Sequence, residues 1–202
     1  MRSSWVCFYL GGPSGKGMGI NMGIEFKILN LIQEIRTPVS DTVMCLITKL
    51  GDAGIIWIVL AVILLLIPKT RKTGMAVMAA LCIDLVLCNG ILKPLVGRIR
   101  PCDINTHVLL LIARPDDFSF PSGHTAASFA AVAALYLSGE RKLWKPAFVL
   151  ACLISFSRLY LYVHYPTDIL GGIFVGILAG YTGNVMIHQY MKWKEKPYPL
   201  KE

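Results

Sequence analysis

Long apolar runs dominate this chain and restrict what it can fold into. Of its 202 residues, 55% are hydrophobic, and the mean hydropathy is +0.60. A helix that crosses a bilayer needs about 20 mostly apolar residues, and this composition is too apolar for an ordinary soluble domain. We therefore predict an all-α integral membrane helical bundle with about five transmembrane helices. The predicted spans are 53–67, 74–92, 122–138, 146–163 and 168–190.

The segment before the first apolar run predicts a helix of another kind. From 24 to 36 the apolar residues recur at helical spacing on one face, while charged residues occupy the other. This pattern is typical of a helix that lies in the membrane interface, and Pro38 is expected to end it. A sixth span over 24–48 is the alternative, although it would carry many charges.

The first residues are interpreted as separate from the membrane domain. We predict a flexible leader over 1–22 and a single membrane-embedded domain over 23–202. The leader contains the glycine-rich stretch GGPSGKGMG, but Gly17 follows Lys16 where a phosphate-binding P-loop needs Ser or Thr. It also has no convincing signal-peptide core.

The net charge of +8 is concentrated in short segments between apolar runs. This arrangement suits anionic lipid headgroups and membrane topology better than nucleic acid. With five spans, three basic segments lie on one side, which the positive-inside tendency makes cytoplasmic. Two are the loops 68–73 and 139–145, and the third is the C-terminal tail. The polar stretches described next then face the extracytoplasmic side of the cell membrane.

Three polar stretches interrupt the apolar pattern: KPLVGRIRP at 93–101, PSGH at 121–124 and SRLYLYVHYPTD at 157–168. In the last, His164 and Asp168 are four residues apart, a spacing that brings side chains together if the segment is helical. A carboxylate that holds one ring nitrogen leaves the other free as a nucleophile. Arg158 adds a permanent cation that suits a phosphate.

Together these stretches read K-x6-RP, then PSGH, then SR-x5-H-x3-D, and the match is complete at every position. In this, the chain resembles the type 2 phosphatidic acid phosphatase (PAP2) superfamily, whose site is shared with bacterial acid phosphatases and vanadium haloperoxidases. The resemblance implies that the first histidine is the acid and the second the nucleophile. It also implies that the lysine, the two arginines and the serine-glycine pair hold phosphate.

The residues support the same assignments. We predict that His164 attacks phosphorus, that Asp168 orients it, and that His124 protonates the leaving oxygen. The predicted phosphate ligands are Lys93, Arg100, Ser122, Gly123 and Arg158.

No metal or other cofactor is predicted. The family resemblance implies none, and the cysteines form no CxxC pair or His/Cys cluster. Asp116 and Asp117 are interpreted as loop solvation, and no partners are assigned to His107 and His188. Asp52, in LGDAG, either caps the following helix or has a function inside the membrane, and it is left outside the predicted site.

The predicted activity is that of a membrane lipid phosphatase, with a bacterial polyprenyl diphosphate such as undecaprenyl diphosphate as substrate. Phosphatidylglycerophosphate or phosphatidic acid is the alternative substrate. A haloperoxidase is disfavoured because those proteins are soluble. A transporter or channel subunit would not require both histidines. Gly172, Gly176 and Gly180 recur at four-residue steps, which predicts either a homodimer face or close packing within the bundle.

Overall fold

The computed structural model describes residues 16–195, with side chains from residue 23. Within that range the chain is helical and contains no β-strand. The helices are α1 (Lys16–Glu34), α2 (Pro38–Leu50), α3 (Ile55–Leu66), α4 (Arg71–Asp84), α5 (Lys93–Val96), α6 (Pro101–Ile104), α7 (Gly123–Leu137), α8 (Trp144–Tyr160) and α9 (Pro166–Lys194). A 3-10 turn at Asp52–Gly54 precedes α3, and a π-helical segment at Leu85–Leu92 continues α4.

The core lies between α3, α4, α7, α8 and α9. Helix α9 packs against α7 and α4, while α7 also contacts α8. Small side chains permit these close contacts: Ala76 and Ala80 on α4, Ala130 on α7 and Ala179 on α9 are almost fully buried. The opposite face of α9 exposes large apolar residues such as Phe174, as expected for a surface in contact with lipid.

The helical framework follows the predicted spans, since one long helix occupies each of the five predicted ranges. By length and composition, two segments of the described chain could cross a membrane alone: Arg71–Ile104 and Pro166–Lys194. The pair α2 and α3, bent by 44°, would make a third. With 15 residues, the predicted 53–67 span is short for a bilayer, and α2 supplies the missing length before it.

The N-terminal region differs from its prediction in two respects. The leader itself stays a prediction, since 1–15 lie outside the described residues and 16–22 belong to α1. The helix predicted at 24–36 is present as part of α1 but ends at Glu34, before Pro38. Pro38 instead begins α2, an element that the mixed sequence of 41–50 did not predict, and Thr37 caps it in a capping box.

The glycine stripe of α9 lies inside the bundle. A Cβ on Gly176 would stand 2.3 Å from the Ala126 carbonyl oxygen, and one on Gly180 would stand 2.7 Å from that of Ala130. Gly172 approaches the Ser122 carbonyl in the same way. These glycines therefore let α9 contact the backbone of α7, as the packing alternative predicted. Because α7 covers this face within the chain, the glycines are not free to form a homodimer contact in this arrangement. A homodimer stays a prediction.

Replacing Gly176 by Ala should destabilise the bundle. The new methyl group would meet backbone atoms of α7, so we expect a loss of about 1–3 kcal/mol in the free energy of unfolding. The measurement is the thermal unfolding midpoint in detergent. Gly90→Ala is the matched control, because its Cβ would approach no atom closer than 4.0 Å. An unchanged midpoint for Gly176→Ala would contradict the close α7–α9 contact.

Candidate active site

The three signature stretches meet at one end of the bundle. They surround a cavity of about 570 Å³, which is also lined by residues of the 3-10 turn before α3. The predicted site residues that line it are Lys93, Arg100, Gly123, His124, Arg158 and His164. A separate apolar groove between α7, α8 and α9 includes Tyr136 and Trp144, near the opposite end of α7. It contains none of the predicted site residues.

His164 lies in the short loop between α8 and α9 and is 1% exposed. Its Nε2 is 3.1 Å from an Arg100 guanidinium nitrogen. Because a guanidinium only donates hydrogen bonds, Nε2 accepts and carries no proton. The ring proton is then on Nδ1, which is 3.4 Å from Asp168 Oδ2, a long contact of the kind that tightens when substrate binds. Burial lowers the pKa of His164 to about 3, so the ring is neutral near pH 7.

Asp168 is fully buried in the first turn of α9 and is held by several donors. Oδ2 accepts hydrogen bonds from the Tyr165 backbone N–H at 2.8 Å and from Ser119 Oγ at 2.5 Å. Oδ1 pairs with Arg98 Nη1 at 2.6 Å. These contacts fix the carboxylate beside the ring of His164.

Arg98 and Glu25 were not predicted as site residues. Arg98 binds Glu25 Oε2 at 2.6 Å in addition to Asp168, and its guanidinium lies 3.9 Å from the Tyr165 ring centroid. Glu25 in turn accepts a hydrogen bond from the Thr167 hydroxyl. The available signal for Arg98 was its position two residues before Arg100. Glu25 gave no signal, because only the fold brings α1 to the start of α9.

The three predicted cations have little exposure. Lys93, Arg100 and Arg158 are 7%, 2% and 3% exposed. Arg158 donates from Nη1 to Thr48 Oγ1 at 2.6 Å, whereas its buried Nε has no hydrogen-bond partner. Unpaired buried donors are costly, so this arrangement suits an anion that enters the cavity.

Asp117 was interpreted above as a solvated loop residue, and the structure corrects this. Its carboxylate pairs with Lys93 Nζ and, at 2.5 Å, with Arg100 Nη2. Burial favours the protonated acid, but these two cations outweigh it and lower the pKa of Asp117 to about 2. Asp117 therefore places a negative charge between two of the predicted phosphate ligands.

The PSGH stretch begins α7. Ser122 is the N-cap, and its buried Oγ accepts from the Thr125 hydroxyl at 3.0 Å and from the Thr125 N–H at 3.5 Å. A Cβ on Gly123 would stand 3.5 Å from Lys93 Nζ, so glycine keeps this approach open. His124 Nε2 is 2.9 Å from Asp52 Oδ1.

Asp52 does not cap α3, which was one of its two interpretations. The N-cap of α3 is Gly54, and no side-chain hydrogen bond is made there. Asp52 instead contacts His124 directly. His107 and His188 do not line this cavity.

Comparison with known proteins identifies relatives of this chain. The PAP2 superfamily model matches residues 73–194, more than half of the sequence. An undecaprenyl-diphosphatase from Sulfolobus acidocaldarius is 29% identical over 77% of this chain and 75% of its own length. A lipid A 4'-phosphatase from Bacteroides thetaiotaomicron is 31% identical, over 82% and 78%. The undecaprenyl-diphosphatase BcrC from Bacillus subtilis is 33% identical, over 78% and 81%.

A solved structure shows the same fold. The PAP2-type phosphatidylglycerolphosphate phosphatase from Bacillus subtilis superposes with a TM-score of 0.67 at 28% identity, covering 89% of this chain and 90% of that one. These relatives are named as phosphatases of three different lipids, so they agree on the reaction class and differ in substrate. The chain belongs to the PAP2 superfamily and is a lipid phosphatase of that type.

Proposed function

We propose that this phosphatase removes the terminal phosphate of a polyprenyl diphosphate, such as undecaprenyl diphosphate, through a phosphohistidine intermediate. The observation that carries the mechanism is the contact of His164 with Arg100, from which the tautomer of the ring follows. Its unprotonated Nε2 contacts Arg100 at the edge of a cavity that three buried cations surround. A neutral imidazole lone pair beside a basic pocket suits attack on a bound phosphoryl group.

The first step forms the N–P bond and breaks the bond to the leaving oxygen. Nε2 of His164 attacks phosphorus, while Lys93, Arg100 and Arg158 bind the equatorial oxygens and balance their charge. The N-terminal turn of α7, with Ser122 and Gly123, offers further donors to the anion. Because His164 becomes a cation as it reacts, the Asp168 carboxylate near Nδ1 stabilises the product of this step.

The leaving oxygen takes its proton from His124. In the second step a water molecule attacks phosphorus, the P–N bond breaks, and His124 accepts the proton of that water. Phosphate leaves, and both histidines return to their starting states. His124 therefore acts first as general acid and then as general base.

The substrate proposal rests on the named relatives and on the form of the site. Two of the three relatives described above are named undecaprenyl-diphosphatases. The cavity at one end of the bundle can take a charged headgroup, while the apolar outer faces of the helices suit a long isoprenoid chain. A glycerolipid such as phosphatidylglycerophosphate is the second candidate, because the similar solved structure is named for that activity.

The membrane arrangement proposed with this function has five spans, with α1 in the interface. Basic residues in the 68–73 and 139–145 loops and in the C-terminal tail support a cytoplasmic location for these segments. The active site then faces the extracytoplasmic side.

The activity can be tested by measuring phosphate release by the purified protein in excess chelator. We expect release from undecaprenyl diphosphate at a higher kcat/KM than from phosphatidylglycerophosphate, phosphatidic acid or lipid A. His164→Ala should lower it by at least about 1,000-fold, because the nucleophile is lost. Preference for a glycerolipid would replace the substrate proposal. Retained activity in His164→Ala would contradict the nucleophile, and loss in chelator that a divalent metal restores would contradict the metal-independent mechanism.

Asp117 should compete with phosphate for Lys93 and Arg100. Asp117→Asn removes the competing charge, so we expect inorganic phosphate to inhibit this variant about tenfold more strongly, equivalent to about 1.4 kcal/mol. The measurement is the competitive inhibition constant of phosphate. Asp116→Asn is the matched control, because Asp116 makes no ion pair within the described residues. Unchanged or weaker inhibition in Asp117→Asn would show that Asp117 positions the cations instead.

The orientation can be tested with two introduced cysteines, one in each of two variants. Leu109 is 77% exposed in the loop near the site, and Lys142 is exposed in the loop at the opposite end. A membrane-impermeant thiol reagent should label Leu109→Cys in intact cells and Lys142→Cys only after lysis, each compared with the unsubstituted protein. The opposite pattern would reverse the proposed orientation.

A further inference from the structure

We propose that Asp52 is a positioning residue for His124: it holds the imidazole through Nε2 and stabilises the protonated ring that delivers the leaving-group proton. This inference rests on the proposed function of His124 as general acid. It assigns a role to the LGDAG stretch, which lies outside all three signature stretches.

The contact defines which atoms take part. Asp52 Oδ1 is 2.9 Å from His124 Nε2. An ionised carboxylate only accepts hydrogen bonds, so Nε2 carries the proton of this contact. A protonated imidazole has two N–H groups, and the second, on Nδ1, is then available to the leaving oxygen. When it transfers that proton, the neutral ring keeps its hydrogen bond to Asp52.

The exposure of the two side chains shows which partner benefits. The Asp52 side chain is 55% exposed and can be solvated without a partner, whereas that of His124 is only 19% exposed. Two cations, Lys93 and Arg158, line the same cavity and oppose a positive charge on the imidazole. A carboxylate within hydrogen-bond distance acts against that repulsion. The contact therefore stabilises the protonated form of His124 more than it stabilises the ionised form of Asp52.

The backbone around Asp52 has an unusual conformation. Ala53 has φ of 50° and Gly54 has φ of 68°, both in the left-handed region that L side chains rarely adopt. These residues form the break at which α2 and α3 bend by 44°. A continuous helix would not contain this turn, and the turn places residues 51, 53 and 54 along the cavity.

Gly51 provides the space for the ring. A Cβ at this position would stand 2.9 Å from His124 Cδ2 and 2.8 Å from Ile154 Cγ2. Cδ2 is bonded to Nε2, so the edge of the ring that faces Asp52 also lies against the bare glycine backbone. The glycine and the aspartate thus contact the same edge of His124.

A second contact fixes the backbone of the same histidine. Ser128 Oγ donates to the His124 carbonyl at 2.6 Å, and Trp57 Nε1 donates to Ser128 Oγ at 3.0 Å. Trp57 belongs to α3, directly after the turn that carries Asp52. This chain of hydrogen bonds ties the start of α3 to the first turn of α7 and maintains the distance between Asp52 and His124.

The test compares leaving groups. An acid is needed most when the leaving oxygen is strongly basic, as in an alkyl phosphate, and least when it is weakly basic, as in p-nitrophenyl phosphate. Asp52→Asn should therefore lower kcat/KM, which reports the step that expels the leaving group, about 100-fold for a lipid alkyl phosphate such as phosphatidic acid and less than about threefold for p-nitrophenyl phosphate. Asp116→Asn is the control and should change neither. The double variant Asp52→Asn/His124→Ala should be no slower than His124→Ala, because Asp52 acts through that residue.

Equal losses on both substrates would indicate a structural role for Asp52 and overturn the inference, as would no loss on either. A second measurement needs no turnover. In 15N-edited NMR spectra, the neutral His124 ring should carry its proton on Nε2, and Asp52→Asn should redistribute it between the two nitrogens. The same distribution in both proteins would overturn the inference. A wild-type protein that releases no phosphate from any lipid would instead contradict the proposed function.

Discussion

In the proposed mechanism, the chemistry of this site depends on the contact between Arg100 and the unprotonated Nε2 of His164. Arg100 also donates to the Val163 carbonyl at 2.8 Å and pairs with Asp117. One guanidinium thus joins the first signature stretch, the loop before α7 and the loop before α9. Since it only donates, it sets the histidine tautomer, and the lone pair of Nε2 points to one of the predicted phosphate ligands. The neighbouring groups hold Arg100 and His164 in this arrangement.

Placing three cations at one end of an apolar bundle has an electrostatic cost, and the structure reduces it without substrate. Asp117 neutralises part of the charge, and Thr48 together with backbone carbonyls accepts several of the N–H groups. A bound phosphate would replace the contribution of Asp117 and reach the free Nε of Arg158. The site therefore keeps its cations in place with a carboxylate, and the proposed function requires phosphate to displace it.

Two carboxylate–histidine pairs share the cavity and differ in their surroundings. Asp168 is fully buried, with Arg98 and Glu25 fixing it from the far side, so its pair with His164 is rigid. Asp52 is half-exposed on a sharp turn between helices. A nucleophile must be held in line with phosphorus, which suits the rigid pair, whereas the acid must exchange protons with a leaving group and a water.

The signature residues and helix positions could be predicted from sequence because spacing and hydropathy are local properties. Lys93, Arg100, His124, Arg158 and His164 all line one cavity. The contacts that hold them could not be predicted in the same way. Glu25 and Asp168 are joined through Arg98 only when α1 packs beside α9. Asp52 reaches His124 because two backbone positions adopt left-handed conformations. The hydropathy pattern contains neither fact. Helix α2, which follows the capping box of Thr37, was not predicted because its composition is mixed.

The most direct test of the central claim is to trap the intermediate. The protein carrying His124→Ala, which should slow both proton transfers, would be mixed with undecaprenyl diphosphate labelled with 32P in its terminal phosphate and quenched rapidly in alkali. We predict an alkali-stable, acid-labile label on the protein that peptide mapping assigns to His164. The double variant His124→Ala/His164→Ala should carry no label. A label on another residue, or label that persists in the double variant, would contradict the account of His164 as the nucleophile.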